Sequence, residues 1–142
     1  MNRFFVQTNY NDFLVNADGI SLNTEQVTND VGLLRMNDDE TTTIIAGFNL
    51  QTIEYIQKTN MNGGREYRVE HWHGQVWTVR ADTVALYNGC IILGTSLEEG
   101  SIQISGLYNG LSCSVIEQKA YVEEETEWKL YVEEAAEREL YD

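Results

Sequence analysis

Short stretches of alternating or continuous apolar residues, separated by Asn, Gly and Asp, run along most of this chain. Leu111, Cys113 and Val115 alternate with two serines, which is typical of a strand with one buried face. Cys90-Ile91-Ile92-Leu93 is apolar on both faces, and this predicts a more central strand. Residues 1–116 are therefore predicted to form a β-rich body.

A four-residue repeat marks two expected turns. Leu86-Tyr87-Asn88-Gly89 recurs as Leu107-Tyr108-Asn109-Gly110, 21 residues later. Asn-Gly tolerates the positive φ angles that a two-residue hairpin requires. Because β-prone residues flank both copies, we expect two successive tight hairpins.

Turn residues elsewhere predict three further hairpins. The segments to be joined are 4–8 with 12–15, 31–36 with 41–46 across Asn37-Asp38-Asp39-Glu40, and 65–73 with 75–80 across Gly74. Asn62-Gly63-Gly64 is expected to be a flexible loop. The chain contains no proline, so these turns depend on Gly, Asn and Asp.

Two short segments carry helical signals. Residues 24–29 follow a capping-box pattern formed by Asn23 and Gln26. Apolar residues within 50–58 recur at helical spacing, but the same segment also fits a strand. Both interpretations of 50–58 stay open.

The C-terminal segment, residues 117–142, predicts an acidic α-helix. It has no Gly or Pro and is rich in Glu and Ala, which are good helix formers. Ten carboxylates and three bases lie in it, half of the net charge of −14. This charge lies towards the helix C-terminus, the unfavourable end of the helix dipole. The segment is therefore either a solvated face or a surface compensated by a basic partner.

Acidic and aromatic side chains are interleaved within that segment, and we assign them to a partner-binding surface. Trp and Tyr are common anchors of protein interfaces, and carboxylates complement a basic surface. The assigned residues are Glu123, Glu124, Glu125, Glu127, Trp128, Tyr131 and Glu134. A core position for the tryptophans is the alternative.

Together these elements predict a mainly β (α+β) protein. A single domain, 1–142, would contain an antiparallel β-meander forming a sandwich or open barrel over 1–116, followed by the acidic α-helix. An apolar content of 42% is enough for a core and argues against disorder. No segment has the roughly 20 apolar residues of a membrane helix, and the first residues lack a signal-peptide core. We therefore expect a cytoplasmic protein with reduced thiols.

His71-Trp72-His73 is the most suggestive local motif. On a strand, both histidines would share one face, a geometry suited to two metal ligands, with Trp72 on the opposite face. Tyr67 would share the histidines' face, so they could equally cover the edge of a core. No third ligand stands at an accepted spacing, and the acidic turns near residues 16–19 and 37–40 depart from the calcium-loop register. We predict no metal.

Enzyme signatures are not recognisable in this sequence. It has no P-loop, dinucleotide fingerprint, Gly-x-Ser-x-Gly or His-Glu-x-x-His motif, so we predict no cofactor and no catalytic residues. Cys90 and Cys113 each align with an aliphatic residue in the other copy of the repeat, which favours buried free thiols over reactive ones.

The charge excludes classes of partner. With 23 acids and nine bases, the chain would be repelled by nucleic acid and anionic membrane. We predict a non-enzymatic acidic protein-binding module for a basic partner protein, such as an inhibitor imitating nucleic acid or an immunity-type protein. A structural or accessory subunit of a virus particle or other homo-oligomeric assembly is the alternative. A small enzyme or metal-dependent binder built on His71 and His73 is the third class considered.

Overall fold

The computed structural model describes residues 2–23, 30–97, 100–122 and 134–136. Within these ranges the chain is mainly β and its sheets are antiparallel. The strands are β1 (Asn2–Thr8), β2 (Asp12–Ala17), β3 (Gly19–Asn23), β4 (Asp30–Met36), β5 (Thr42–Asn49), β6 (Ile53–Lys58), β7 (Arg65–His71), β8 (Val76–Ala81), β9 (Thr83–Tyr87), β10 (Cys90–Ser96), β11 (Ile102–Asn109) and β12 (Cys113–Glu117). Single 3₁₀ turns cover Leu50–Thr52 and Gln118–Ala120.

The described strands form three sheets packed as layers. The central sheet has the strand order β2-β1-β6-β11-β10-β9, and the sheets β3-β4-β5 and β12-β7-β8 cover its two faces. Successive residues of a strand point to opposite faces, so Leu107 packs in the core under β3-β4-β5 and Tyr108 in the core under β12-β7-β8. Burial on both sides explains why the segment around Cys90 is apolar throughout.

Two corners carry the edge strands of the central sheet into the covering sheets. β2 continues into β3 at Asp18, and β8 continues into β9 at Asp82. Each aspartate follows a fully buried alanine, Ala17 or Ala81. Its amide donates to a carbonyl of a neighbouring strand, and its carboxylate accepts a backbone N–H at 2.7 Å. The same Ala-Asp device therefore turns the chain at both edges.

Four of the five predicted hairpins are confirmed: β1–β2, β4–β5, β7–β8 and β9–β10. Asn88 and Gly89 have φ angles of 47° and 79°, as an Asn-Gly turn requires. The segment 50–58 is a 3₁₀ turn followed by β6, which decides between its two interpretations. The hairpins do not assemble as a sequential meander, because β6 lies between β1 and β11.

The second Asn-Gly pair does not form a hairpin, and this prediction is wrong. β12 pairs with β7 instead of β11. The Asn109 amide donates to Ile53 O at 2.9 Å, and its side-chain oxygen accepts from Leu111 N–H. Gly110 N–H donates to Gly89 O at 2.9 Å. These long-range bonds hold a corner between two sheets, and Leu111, expected on the buried face, is 95% exposed.

The C-terminal helix does not begin at Glu117. That residue ends β12 and pairs with Tyr67, and a 3₁₀ turn follows. Hydrogen bonding to the edge of an existing sheet outweighs the helix propensity of the local sequence here. Of residues 123–142 the structure describes 134–136, which are helical; the rest of the predicted helix and the segment 24–29 lie outside the described residues. No helix among the described residues is long and apolar enough to cross a membrane.

The segment Asn62-Gly63-Gly64, predicted as a flexible loop, connects β6 to β7 but packs against the Asp82 corner. Gly64 N–H donates to Asp82 Oδ1 at 2.7 Å, and Arg80 Nε donates to Gly63 O at 3.0 Å. A Cβ atom on Gly63 would overlap the carbonyl carbon of Ala81. The glycine is needed for this close approach of two backbones.

We predict that Gly63→Ala is destabilising because its new methyl group would displace the Ala81 backbone. The expected loss is about 1–3 kcal/mol of unfolding free energy, as for other overpacked positions, measured by urea denaturation. Gly47→Ala is the matched control, since its Cβ would meet nothing within 4 Å. Equal stabilities for the two variants would contradict the packed arrangement.

Candidate functional site

A β-bulge in β6 produces a buried carboxylate, that of Glu54. Thr8 pairs with Ile53 and Gln7 pairs with Tyr55, so Glu54 has no opposite residue in β1. Such an extra residue redirects its side chain. Glu54 therefore points towards the covering sheet β12-β7-β8, where it is 4% exposed.

Both carboxylate oxygens of Glu54 meet nitrogen donors from the end of β7. Its Oε2 lies 2.8 Å from His71 Nε2, and its Oε1 accepts from Trp72 Nε1 at 3.2 Å. An indole N–H can only donate and a carboxylate can only accept, which places the imidazole proton on Nε2. Because His71 is also buried, this is a charge-assisted contact shielded from water.

Cys113 completes the group from β12. It pairs opposite His71 in the β12–β7 ladder, and its Sγ–H donates to the backbone oxygen of Glu54 at 3.5 Å. The His73 ring lies 5.1 Å from the His71 ring and 4.1 Å from the Trp72 ring, centroid to centroid. Glu54, His71, Trp72, His73 and Cys113 are called the Glu54 cluster below.

The predicted arrangement of His71, Trp72 and His73 is only partly correct. The two histidine rings are neighbours, but His71 ends β7 and His73 lies in the turn that follows. Trp72 was expected on the opposite face but stands beside both rings. Its backbone N–H donates to Ser112 O at 2.8 Å, and the chain turns there. Within the described ranges, no three His, Cys, Asp or Glu side chains are grouped closely enough to hold a metal ion.

The cysteines are both free and buried, as predicted. Burial, with a smaller contribution from the charge of Glu54, raises the pKa of Cys113 from 9.0 to about 12. Burial also raises the pKa of Cys90. An acid, a histidine and a cysteine together resemble a nucleophilic triad, but a nucleophilic thiol requires a lowered pKa. Cys113 instead remains protonated and donates to a backbone carbonyl.

One atom of the cluster is left without a partner. Among the described residues, His71 Nδ1 is a buried nitrogen with no hydrogen bond. The Glu54 carboxylate therefore holds the imidazole of His71 in one orientation, and it fixes the indole of Trp72 through its other oxygen.

Of the predicted partner-binding residues, the structure describes one. Glu134 is exposed in the helical turn 134–136. The other predicted residues lie outside the described part of the chain: Glu123, Glu124, Glu125, Glu127, Trp128 and Tyr131. Sequence analysis did not select Glu54, although it is a lone carboxylate within the apolar run Ile53–Ile56. That isolation was the available signal.

Comparison of the chain with family models, with curated proteins and with solved structures found no match.

We predict that Glu54→Ala strongly destabilises the fold, because it leaves the buried donor of His71 and the partly buried indole N–H of Trp72 without an acceptor. The expected loss is about 3 kcal/mol or more of unfolding free energy, measured by urea denaturation. Glu66→Ala is the control. Its carboxylate is half exposed and lies 3.7 Å from Arg80, so its loss should cost about 0–1 kcal/mol. Similar losses for the two variants would mean that the Glu54 cluster contributes little.

The thiols should be unreactive in the native state. At pH 9, Ellman's reagent should modify native Cys90 and Cys113 much more slowly than the unfolded chain. Burial blocks access to both, and the raised pKa keeps Cys113 protonated at that pH. The unfolded chain in urea is the control, and both of its thiols should react with the reagent. Rapid modification of the native protein would contradict the buried position.

Proposed function

We propose that the chain is a non-enzymatic acidic protein-binding module that occupies a basic surface of a partner protein. The observation that carries this proposal is the attachment of the acidic segment. Residues 123–142 contain nine carboxylates and two bases, and they follow directly from a part of the chain that is fixed on the β body.

That attachment is made by β12 and the residues after it. Glu117 pairs with Tyr67, and the guanidinium of Arg68 lies 4.4 Å from the centre of the Tyr121 ring. A cation over an aromatic face is favourable even at an exposed site. The residues that precede the acidic segment are therefore held at one end of the β12-β7-β8 sheet. His71 lies at the other end of β7.

Charges on the β body itself are more balanced. Arg68 pairs with Glu70 at 2.8 Å, and Arg80 lies 3.7 Å from Glu66. Two basic side chains of this sheet, those of Arg68 and Arg80, thus have acidic neighbours. The excess negative charge in residues 123–142 would attract a cationic protein surface and accelerate its association.

The chemistry of the described thiols supports binding over catalysis. Cys113 is held as a neutral thiol, and both oxygens of Glu54 accept hydrogen bonds within the fold. A buried and satisfied carboxylate of this kind orients its neighbours. These features favour a role in which the fold presents a surface to a partner.

The decisive test compares two variants with the same change of net charge. Glu123→Lys/Glu124→Lys/Glu125→Lys reverses three acids of the segment, and Asp12→Lys/Asp38→Lys/Glu40→Lys reverses three exposed acids of the body. A partner captured from a lysate with the parent chain would be purified and its binding measured by surface plasmon resonance at two salt concentrations. We expect the first variant to associate about tenfold more slowly at low salt, since like charges would then meet.

The association rate of the body variant should fall much less, because its substitutions change the overall charge of the protein but not the charge of the acidic segment. Equal slowing of the two variants would show a non-specific charge effect. An unchanged association rate for the segment variant would mean that the segment is only a solvated face.

One observation favours the structural alternative. β5 forms an edge of its sheet among the described strands, has no charged residue, and exposes Ile44 to 69% and Ile45 to 36%. Uncharged apolar edges can pair with another chain. If light scattering showed an oligomer that Ile44→Lys dissociated, a subunit of a homo-oligomeric assembly would be the better description.

A further inference from the structure

Trp72 is a large apolar side chain that is both exposed and fixed. It is 66% accessible to solvent, yet its indole N–H donates to the buried carboxylate of Glu54 at 3.2 Å. Its backbone N–H is bonded to Ser112 O at 2.8 Å. An aromatic ring held at both its backbone and its tip loses little additional freedom when a ligand binds it.

The ring next to it enlarges this surface. His73 is exposed, and its ring is tilted 37° to that of Trp72 at a centroid distance of 4.1 Å. His71 supports both rings from the buried side, with centroids 6.3 Å from Trp72 and 5.1 Å from His73. The exposed rings of Trp72 and His73 are called the aromatic platform.

The electrostatics of the aromatic platform favour a cation. A Trp face is the preferred aromatic partner for a positive charge. Here a carboxylate at the edge of the indole accepts its N–H, and the negative charge of Glu54 is little screened because it is buried. The closest base along β7, Arg68, is already engaged by Glu70 and Tyr121. The overall charge of −14 adds to the attraction.

We propose that the aromatic platform binds the cationic side chain of a partner protein, an arginine or a lysine, with Glu54 supplying negative charge at the N–H edge of the indole. The proposal rests on the proposed function for the partner's basic character, but it places a contact on a different part of the chain. The acidic segment would attract the partner, and the aromatic platform would hold one basic side chain in a fixed orientation.

Nuclear magnetic resonance can test this without knowing the partner. The chain has three tryptophans, 72, 77 and 128, and Trp72→Phe assigns the indole N–H signal of Trp72 by its loss. The probe is acetyl-Gly-Arg-Gly-amide. The matched control is acetyl-Gly-citrulline-Gly-amide, which has the same shape without the charge. We expect the arginine peptide to shift the Trp72 signal saturably and to bind about two- to fivefold more tightly than the citrulline peptide.

Two variants complete the test. In Trp72→Leu, which should fold because the side chain is exposed and Glu54 keeps its bond to His71, the backbone amide of His73 should no longer respond to the arginine peptide. Leu111→Ala removes another exposed apolar side chain from a residue next to Ser112 and should leave the response unchanged. Equal binding of the arginine and citrulline peptides would overturn the proposal, since a neutral ligand would then suffice. A Trp72 signal that does not move would also overturn it.

The same titration separates this proposal from the proposed function. Trp128 lies within the acidic segment and reports on it independently. A shift of the Trp128 signal alone would place the cation on that segment, which supports the proposed function and overturns the aromatic platform. A shift of the Trp72 signal alone would support the aromatic platform and leave the acidic segment without a binding role for a basic side chain.

Discussion

The buried carboxylate of Glu54 is the constraint that relates the central sheet to one of its covering sheets. A carboxylate removed from water is strongly unfavourable unless it is paired and hydrogen-bonded. Its donors come from His71, the last residue of β7, and from Trp72 directly after it, and Cys113 bonds to the backbone oxygen of Glu54. Apolar contacts alone would tolerate sliding between layers, whereas these three bonds are met at one relative position. The β-bulge that produces Glu54 is thus an organising feature of the fold.

The two covering sheets are attached by different physics. Glu54 and His71 lie on the side of β12-β7-β8, and the core cluster beneath β3-β4-β5 consists of apolar residues such as Leu33, Ile53 and Leu107. Hydrophobic contacts are less directional than hydrogen bonds. The side with polar bonds is also the side that presents a fixed tryptophan, and the other side presents the uncharged edge of β5. The polar contacts of Glu54 and the exposed uncharged edge of β5 therefore belong to different covering sheets.

Local signals in the sequence predicted local structure well. Asn88, Gly89 and Gly74 have positive φ. They lie in the turns of two confirmed hairpins, β9–β10 and β7–β8. Asn109-Gly110 has the same letters, but its side chain and amide bond to Ile53 and Gly89 from distant parts of the chain. Sequence cannot show such contacts before the topology is known. Glu54 was missed for the same reason, because a bulge is a property of two paired strands.

The contact between the two copies of the repeat has a consequence for modifying the protein. Asn88-Gly89 looks like an ideal place to insert a tag or to open new chain termini, since exposed loop tips usually tolerate both. Here Gly89 O accepts the N–H of Gly110, and a Cβ on Gly110 would lie 2.7 Å from that oxygen. An insertion at Asn88-Gly89 would disrupt the bond between Gly89 and Gly110, and Gly110 lies in the corner that leads from β11 to β12. The exposed turn at Asp38 is bonded only within its own hairpin among the described contacts, which makes it the more permissive site.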